Sequence, residues 1–85
     1  MKLNNKQKQF LFDKHYITAK VLDALVEDGW QNYFIKSFDW ELAGKDIYGF
    51  ERLYLKDKKS KDIEYIAGLL FQGDDYNKLL EIKSK

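Results

Sequence analysis

Hydrophobic positions recur in this chain first at helical spacing and then at spacings that suit strands. With residues placed at 100° intervals, Leu3, Phe10, Ile17, Val21, Ala24 and Leu25 fall within roughly 100° of arc, one amphipathic stripe. The pattern predicts a helix capped by Asn4 or Asn5 and ended by Gly29, which can adopt the left-handed conformation. Lys14 falls inside the stripe. Either its stem carries the charge past the core, or the helix breaks near Asp13–Tyr16 and restarts with Thr18 as cap.

The middle of the chain supports two periods. "YFIKSFDWEL" reads as a strand if Phe34, Phe38, Trp40 and Leu42 share one face, with Lys36 as an intruder. It reads as a helix through Trp30, Phe34, Phe38 and Leu42. "IYGFERLYLK" is better as a strand, because Gly49 lies among aromatic and β-forming residues. Its natural partner is "IEYIAGLLF", with "KDKKSKD" as the hairpin loop between them. Ile63, Ile66, Ala67, Leu70 and Phe71 also satisfy a helical template, although Gly68 there would cost on the order of 1 kcal/mol relative to alanine. "DDYNKLLEIK" predicts a short helix capped by Asp74 or Asp75, with Leu79, Leu80 and Tyr76 facing inward. The expected fold is α+β: an N-terminal helix, a three-stranded antiparallel meander and a short C-terminal helix. An all-α bundle is the competing architecture.

Composition narrows the picture. A chain of 85 residues has too few side chains for two cores, so residues 1–85 are expected to form a single domain. Aromatic residues make up 16% of it, and large rings help a short chain to offset its conformational entropy. Cysteine is absent, so neither a disulfide nor a thiolate metal site can staple the fold. The longest wholly apolar stretch, residues 66–71, omits only Gly68 from side-chain hydrophobicity and is far below the roughly 20 residues that span a bilayer. No apolar signal core follows the start, and a cytoplasmic protein without membrane association is the expectation.

A net charge of +1 provides no global field for nucleic acid, but the distribution is uneven. Residues 1–20 hold five lysines against one aspartate, whereas residues 21–44 hold one lysine against five acids. Of the 15 basic residues only Arg52 is arginine, which argues against bidentate readout of bases.

Catalytic chemistry finds little support. His15 is the only histidine, and Ser37, Ser60 and Ser84 have no nucleophile-elbow setting. Asp39, Glu41, Asp74 and Asp75 could in principle hold Mg²⁺, but adjacent aspartates on a strand point to opposite faces and suit a helix cap after Gly73. No phosphate-binding glycine loop is present. A helix-turn-helix starting at Ile66-Ala67 fails, because Phe71 occupies the turn and Gly73 comes two positions late. The order of elements resembles double-stranded-RNA-binding domains in outline. That family opens its last helix with lysines, where this chain has Asp74 and Asp75, so its function does not carry over.

Two surfaces remain. Phe12 and Tyr16, at i and i+4, would share a helix face opposite the apolar stripe, rimmed by Asp13, Lys20, Asp23 and Glu27. With Trp30 and Trp40 they are the expected partner-contact anchors. The second surface is Lys56, Lys58, Lys59 and Lys61 with Arg52, Tyr54 and neighbouring Tyr48, where charge and stacking would bind RNA or single-stranded nucleic acid. The leading expectation is a non-enzymatic, cofactor-free and metal-free protein that modulates or inhibits a larger protein or ribonucleoprotein by surface contact. In style it resembles phage and mobile-element accessory proteins, including inhibitors of host enzymes and defence systems. The alternative is nucleic-acid binding through the Lys56–Lys61 loop.

Overall fold

The first element forms because Asn4 and Gln7 cap each other. Asn4 Oδ1 accepts from the Gln7 amide and Gln7 Oε1 accepts from the Asn4 amide, both at 2.8 Å, a reciprocal box that starts helix α1 (Asn5–Asp13). In the computed structural model, which describes residues 1–83, α1 stops far short of Gly29. His15 turns left-handed at φ 64°, and the amides of His15 and Tyr16 bond back to the carbonyls of Phe12 and Leu11. This is a Schellman ending with histidine at the position that glycine usually takes. The long helix expected from the stripe is therefore replaced by α1 and a single turn around residues 18–23. That turn closes in the same way at Asp23, φ 51°, with Thr18 Oγ1 accepting from the Val21 amide.

Helix α2 (Trp30–Ser37) begins after Gly29 and runs straight into strand β1 (Phe38–Lys45). Both readings of "YFIKSFDWEL" were thus partly right: the helix takes Trp30 and Phe34, the strand takes Trp40 and Leu42. Strands β2 (Glu51–Asp57) and β3 (Ile63–Leu69) complete an antiparallel meander in the order β1-β2-β3, and α3 (Asp75–Glu81) closes the chain. The architecture is the expected α+β arrangement with one further helix, α2. Residues 1–3 lie along the free edge of β1, through Leu3 N to Trp40 O and Leu42 N to Met1 O, both 2.9 Å. Pairing with β2 overrides the helical template in 63–71. Gly68 suits that strand because a Cβ there would sit 3.0 Å from the Cβ of Phe50.

The sheet is two-faced. Leu53 and Leu55 alternate with Arg52, Tyr54 and Lys56, so β2 points leucines inward and polar or aromatic residues outward. Leu11 and Phe12 of α1, Ile35 of α2 and Leu79 of α3 pack with Trp40, Leu42, Leu53, Leu55 and Leu69 into one buried cluster. Leu80, expected inward, is exposed. Among the described residues no helix is long and apolar enough to cross a membrane.

The passage from α2 into β1 leaves the last helical carbonyls without intrahelical donors, and β1 itself, α1 and the β2–β3 connection supply them. Trp40 Nε1 donates to Phe34 O at 3.0 Å, and the Lys58 amide donates to Ser37 O at 3.1 Å. Lys8 Nζ donates to Ile35 O and Phe38 O, both at 2.8 Å. Lys8 is only 3% exposed. Burial, and then repulsion from Lys58, pushes its pKa below the ordinary 10.5, and Asp39 partly counteracts them.

Three outcomes follow from the geometry of Lys8 and His15. Lys8→Met leaves two carbonyls without their donor and should cost about 2–3 kcal/mol in urea unfolding at neutral pH. Because the folded pKa is lowered, Lys8's linkage contribution is fully present above 10.5 and is lost as pH falls through the folded value. The wild-type advantage over Lys8→Met should therefore widen as pH rises from neutrality to 10.5, and a narrowing would contradict the assignment. His15→Gly, which relieves a left-handed side-chain position, should raise stability by about 0.5–1 kcal/mol in the same assay.

Candidate functional site

The sequence-expected contact anchors separate once the chain is folded. Phe12 is 2% exposed and Trp40 is 0% exposed; both are core residues, and neither is available to a partner. The reason is the early end of α1: its inward face is Gln7, Lys8, Leu11 and Phe12, so Phe12 points at the sheet and stacks edge-on against Trp40 at 5.3 Å. Deleting either ring would cost on the order of 3–5 kcal/mol, so its loss would read as unfolding. Tyr16 is not on the helix at all. Its hydroxyl donates to Asp75 Oδ2 at 2.6 Å and accepts from the Gln72 amide at 2.8 Å, tying the segment after α1 to the start of α3. Burial, and then the bond to Asp75, raises its pKa above 10.0.

Trp30 stays partly at the surface, as does Tyr16, but Trp30 has no hydroxyl to tie it to α3. It is half-buried at the first position of α2, with Phe12 behind it at 5.4 Å and Phe34 one turn along at 6.5 Å. Its neighbours are more telling than the ring itself. Leu25 is 84% exposed and Val26 is 73% exposed, in the irregular segment that leads to Gly29. Leu25 belonged to the expected inner stripe. The left-handed turn at Asp23 takes it out of any helical register and into solvent. Beside it lies a cleft of about 440 Å³ walled by Leu25, Glu27, Asp28, Trp30, Tyr33 and Phe34, and a second cleft of the same volume adjoins it around Val26 and Trp30. Tyr33 was missed by the sequence reading. Its signal was the i+3 spacing from Trp30 on a helix whose start at Gly29 had been assigned as an end.

The lysine loop also divides. Asp57 Oδ1 accepts from the amides of Lys59 and Ser60 at 2.7 and 3.1 Å, and Lys61 takes φ 66°, which fixes a tight connection between β2 and β3. Those two amides, Ser60 first, hold the Asp57 carboxyl below its usual range, so its negative charge persists within the basic run. Lys58 and Lys59 line a cleft of about 310 Å³ with Tyr33, Lys36 and Ser37. Lys56 and Tyr54 instead lie on the outer sheet face, where Lys56 stands opposite Asp39 and Tyr54 opposite Glu41. Arg52 donates to Ala43 O at 2.7 Å and clamps the bulge at Gly44, φ 91°. Tyr48 sits on the β1–β2 turn, a strand length of roughly 20 Å from the lysines. The seven residues expected as one surface thus divide: Arg52, Tyr54 and Lys56 share the outer face of β2, Lys58 and Lys59 share a cleft, and Tyr48 lies at the far turn.

Among the described residues no three acidic or histidine side chains gather as a metal site. No protein-family model matches this sequence, and neither a curated protein nor a solved structure matches it significantly.

Tyr16→Phe removes one short bond and leaves the Gln72 amide to water. It should lower stability by about 1 kcal/mol in thermal or urea unfolding, and an unchanged midpoint would show that α3 is not tied there.

Proposed function

We propose that this protein is a non-enzymatic binding protein that acts by occupying a surface of a larger protein or ribonucleoprotein, with Leu25, Val26, Trp30 and Tyr33 as its docking face. The observation that carries this reading is the side-by-side exposure of Leu25 and Val26 next to an aromatic cleft. Apolar side chains held in water forgo about 25 cal/mol per Å² of possible burial, and a cluster of them around half-buried rings has the makeup of a contact hot spot. Exposed carboxylates at Glu27 and Asp28 supply a polar rim. A cytoplasmic setting, and a role in the manner of phage or mobile-element inhibitors of host enzymes or defence systems, belong to the same proposal.

Nucleic-acid binding through Lys56, Lys58, Lys59 and Lys61 ranks second. Asp39 opposes Lys56, and the charged Asp57 lies beside Lys58 and Lys59. Both dilute the potential that a phosphate backbone needs.

Capture from a lysate of the native host, with and without nuclease, tests the reading. Leu25→Ser with Val26→Ser touches no core residue and should change stability by less than about 0.5 kcal/mol. The double variant should lose capture at least about tenfold, and nuclease should make no difference. Capture that survives the double substitution, or that nuclease abolishes, would overturn the proposal.

A further inference from the structure

The walls of the docking face describe what enters it. Both clefts at the amino end of α2 contain Glu27, Asp28 and Trp30, and no lysine, arginine or histidine lines either one. Trp30, Phe34 and Tyr33 follow one another edge to face, with Tyr33 and Phe34 at 5.2 Å and 79°. Phe12 props Trp30 from the core at 5.4 Å, so its ring is held in place before any partner arrives. Aromatic faces carry negative quadrupole density and attract cations, and the two exposed carboxylates add full charges of the same sign. The amino end of α2 opposes a cation with roughly half a positive charge, which two carboxylates outweigh. Leu25 and Val26 form an apolar shoulder beside the cleft, so the cation must come with a hydrophobic carrier.

We propose that the occupant is an arginine side chain borne on an apolar segment of a protein partner. Its guanidinium plane lies against Trp30, and its N–H groups point toward Glu27 and Asp28. Guanidinium suits this site better than ammonium, because it is planar, weakly hydrated and able to stack on a ring while donating to a carboxylate in its own plane. A phosphate-bearing partner would meet both carboxylates at the mouth of the cleft. The inference rests on the reading of this face as a protein contact.

The test is an NMR titration that follows the Trp30 indole N–H. Trp40, buried and bonded through Nε1 to Phe34 O, reports that the fold is intact. The probes are N-acetyl-arginine amide, its neutral isostere N-acetyl-citrulline amide, N-acetyl-lysine amide and a single-stranded oligonucleotide. Arginine should shift Trp30 saturably and bind at least about fivefold more tightly than citrulline, a preference that Glu27→Gln with Asp28→Asn removes. Equal shifts from arginine and citrulline, a preference that survives the double substitution, tighter binding of lysine, or a response to the oligonucleotide would each overturn the assignment. The two readings separate cleanly. Capture that depends on Leu25 and Val26 without an arginine preference refutes the arginine alone. An arginine preference without capture refutes the docking face.

Discussion

Everything in this fold that can be called a site depends on the junction at Ser37–Phe38, where a helix becomes a strand with no loop between. The junction exposes carbonyls that the helical ladder cannot satisfy, and the chain meets them with three donors: Trp40 from β1 itself, and Lys8 and the Lys58 amide from distant positions. Lys8 binds both sides of the junction at once, so α1, α2 and β1 are fixed relative to one another by a single ammonium. A buried cation whose nearest acceptors are carbonyl dipoles is costly. It is offset only in part by charge-assisted hydrogen bonds and by the negative end of α2, which favours a cation at that place, so the pKa stays lowered. Lys58 extends the same arrangement to the β2–β3 connection, so the lysine loop has a structural task before any binding task.

The charge pattern along the chain acquires a plain explanation from α2. Acids cluster just before its amino end, at Glu27 and Asp28, and lysines gather at its carboxyl end, at Lys8, Lys36 and Lys58. Both placements complement the helix dipole, each by a few tenths of a kcal/mol or more. The dipole does not account for Leu25 and Val26. Ile47 and Tyr48 on the β1–β2 turn are as exposed, but Leu25 and Val26 stand beside clefts walled by Trp30, Tyr33 and Phe34, and that pairing marks the docking face.

How much could be read in advance depended on whether local signals agreed. The cap at Asn4 (one of the two candidates), the strands around "ERLYL" and the hairpin loop at "KDKKSKD" were legible, because turn chemistry and period pointed to the same element. The length of the first helix was not. Its stop is a left-handed histidine, and His15 carries none of the signal that a glycine would have given. That one misplacement propagated: it put Leu25 in the core, Phe12 on the surface and Tyr16 on a helix face. Lys8 was hidden for a related reason, since a lysine one turn before Leu11 and Phe12 looks like a snorkelling surface residue until the carbonyls it serves are known. The α2–β1 junction could not be read from periodicity, because Phe34, Phe38 and Leu42 satisfy both periods across it.

The ionisation of Lys8 tests this account most directly. Its ammonium can be followed by NMR at Cε and Nζ against the other lysines of the same sample. A buried ammonium seated on the Ile35 and Phe38 carbonyls, desolvated and pushed by Lys58, should titrate below 10.5. If Lys8 instead shows no downward displacement from 10.5, it is in water, the junction is held by something else, and the placement of α2 with its docking face is wrong.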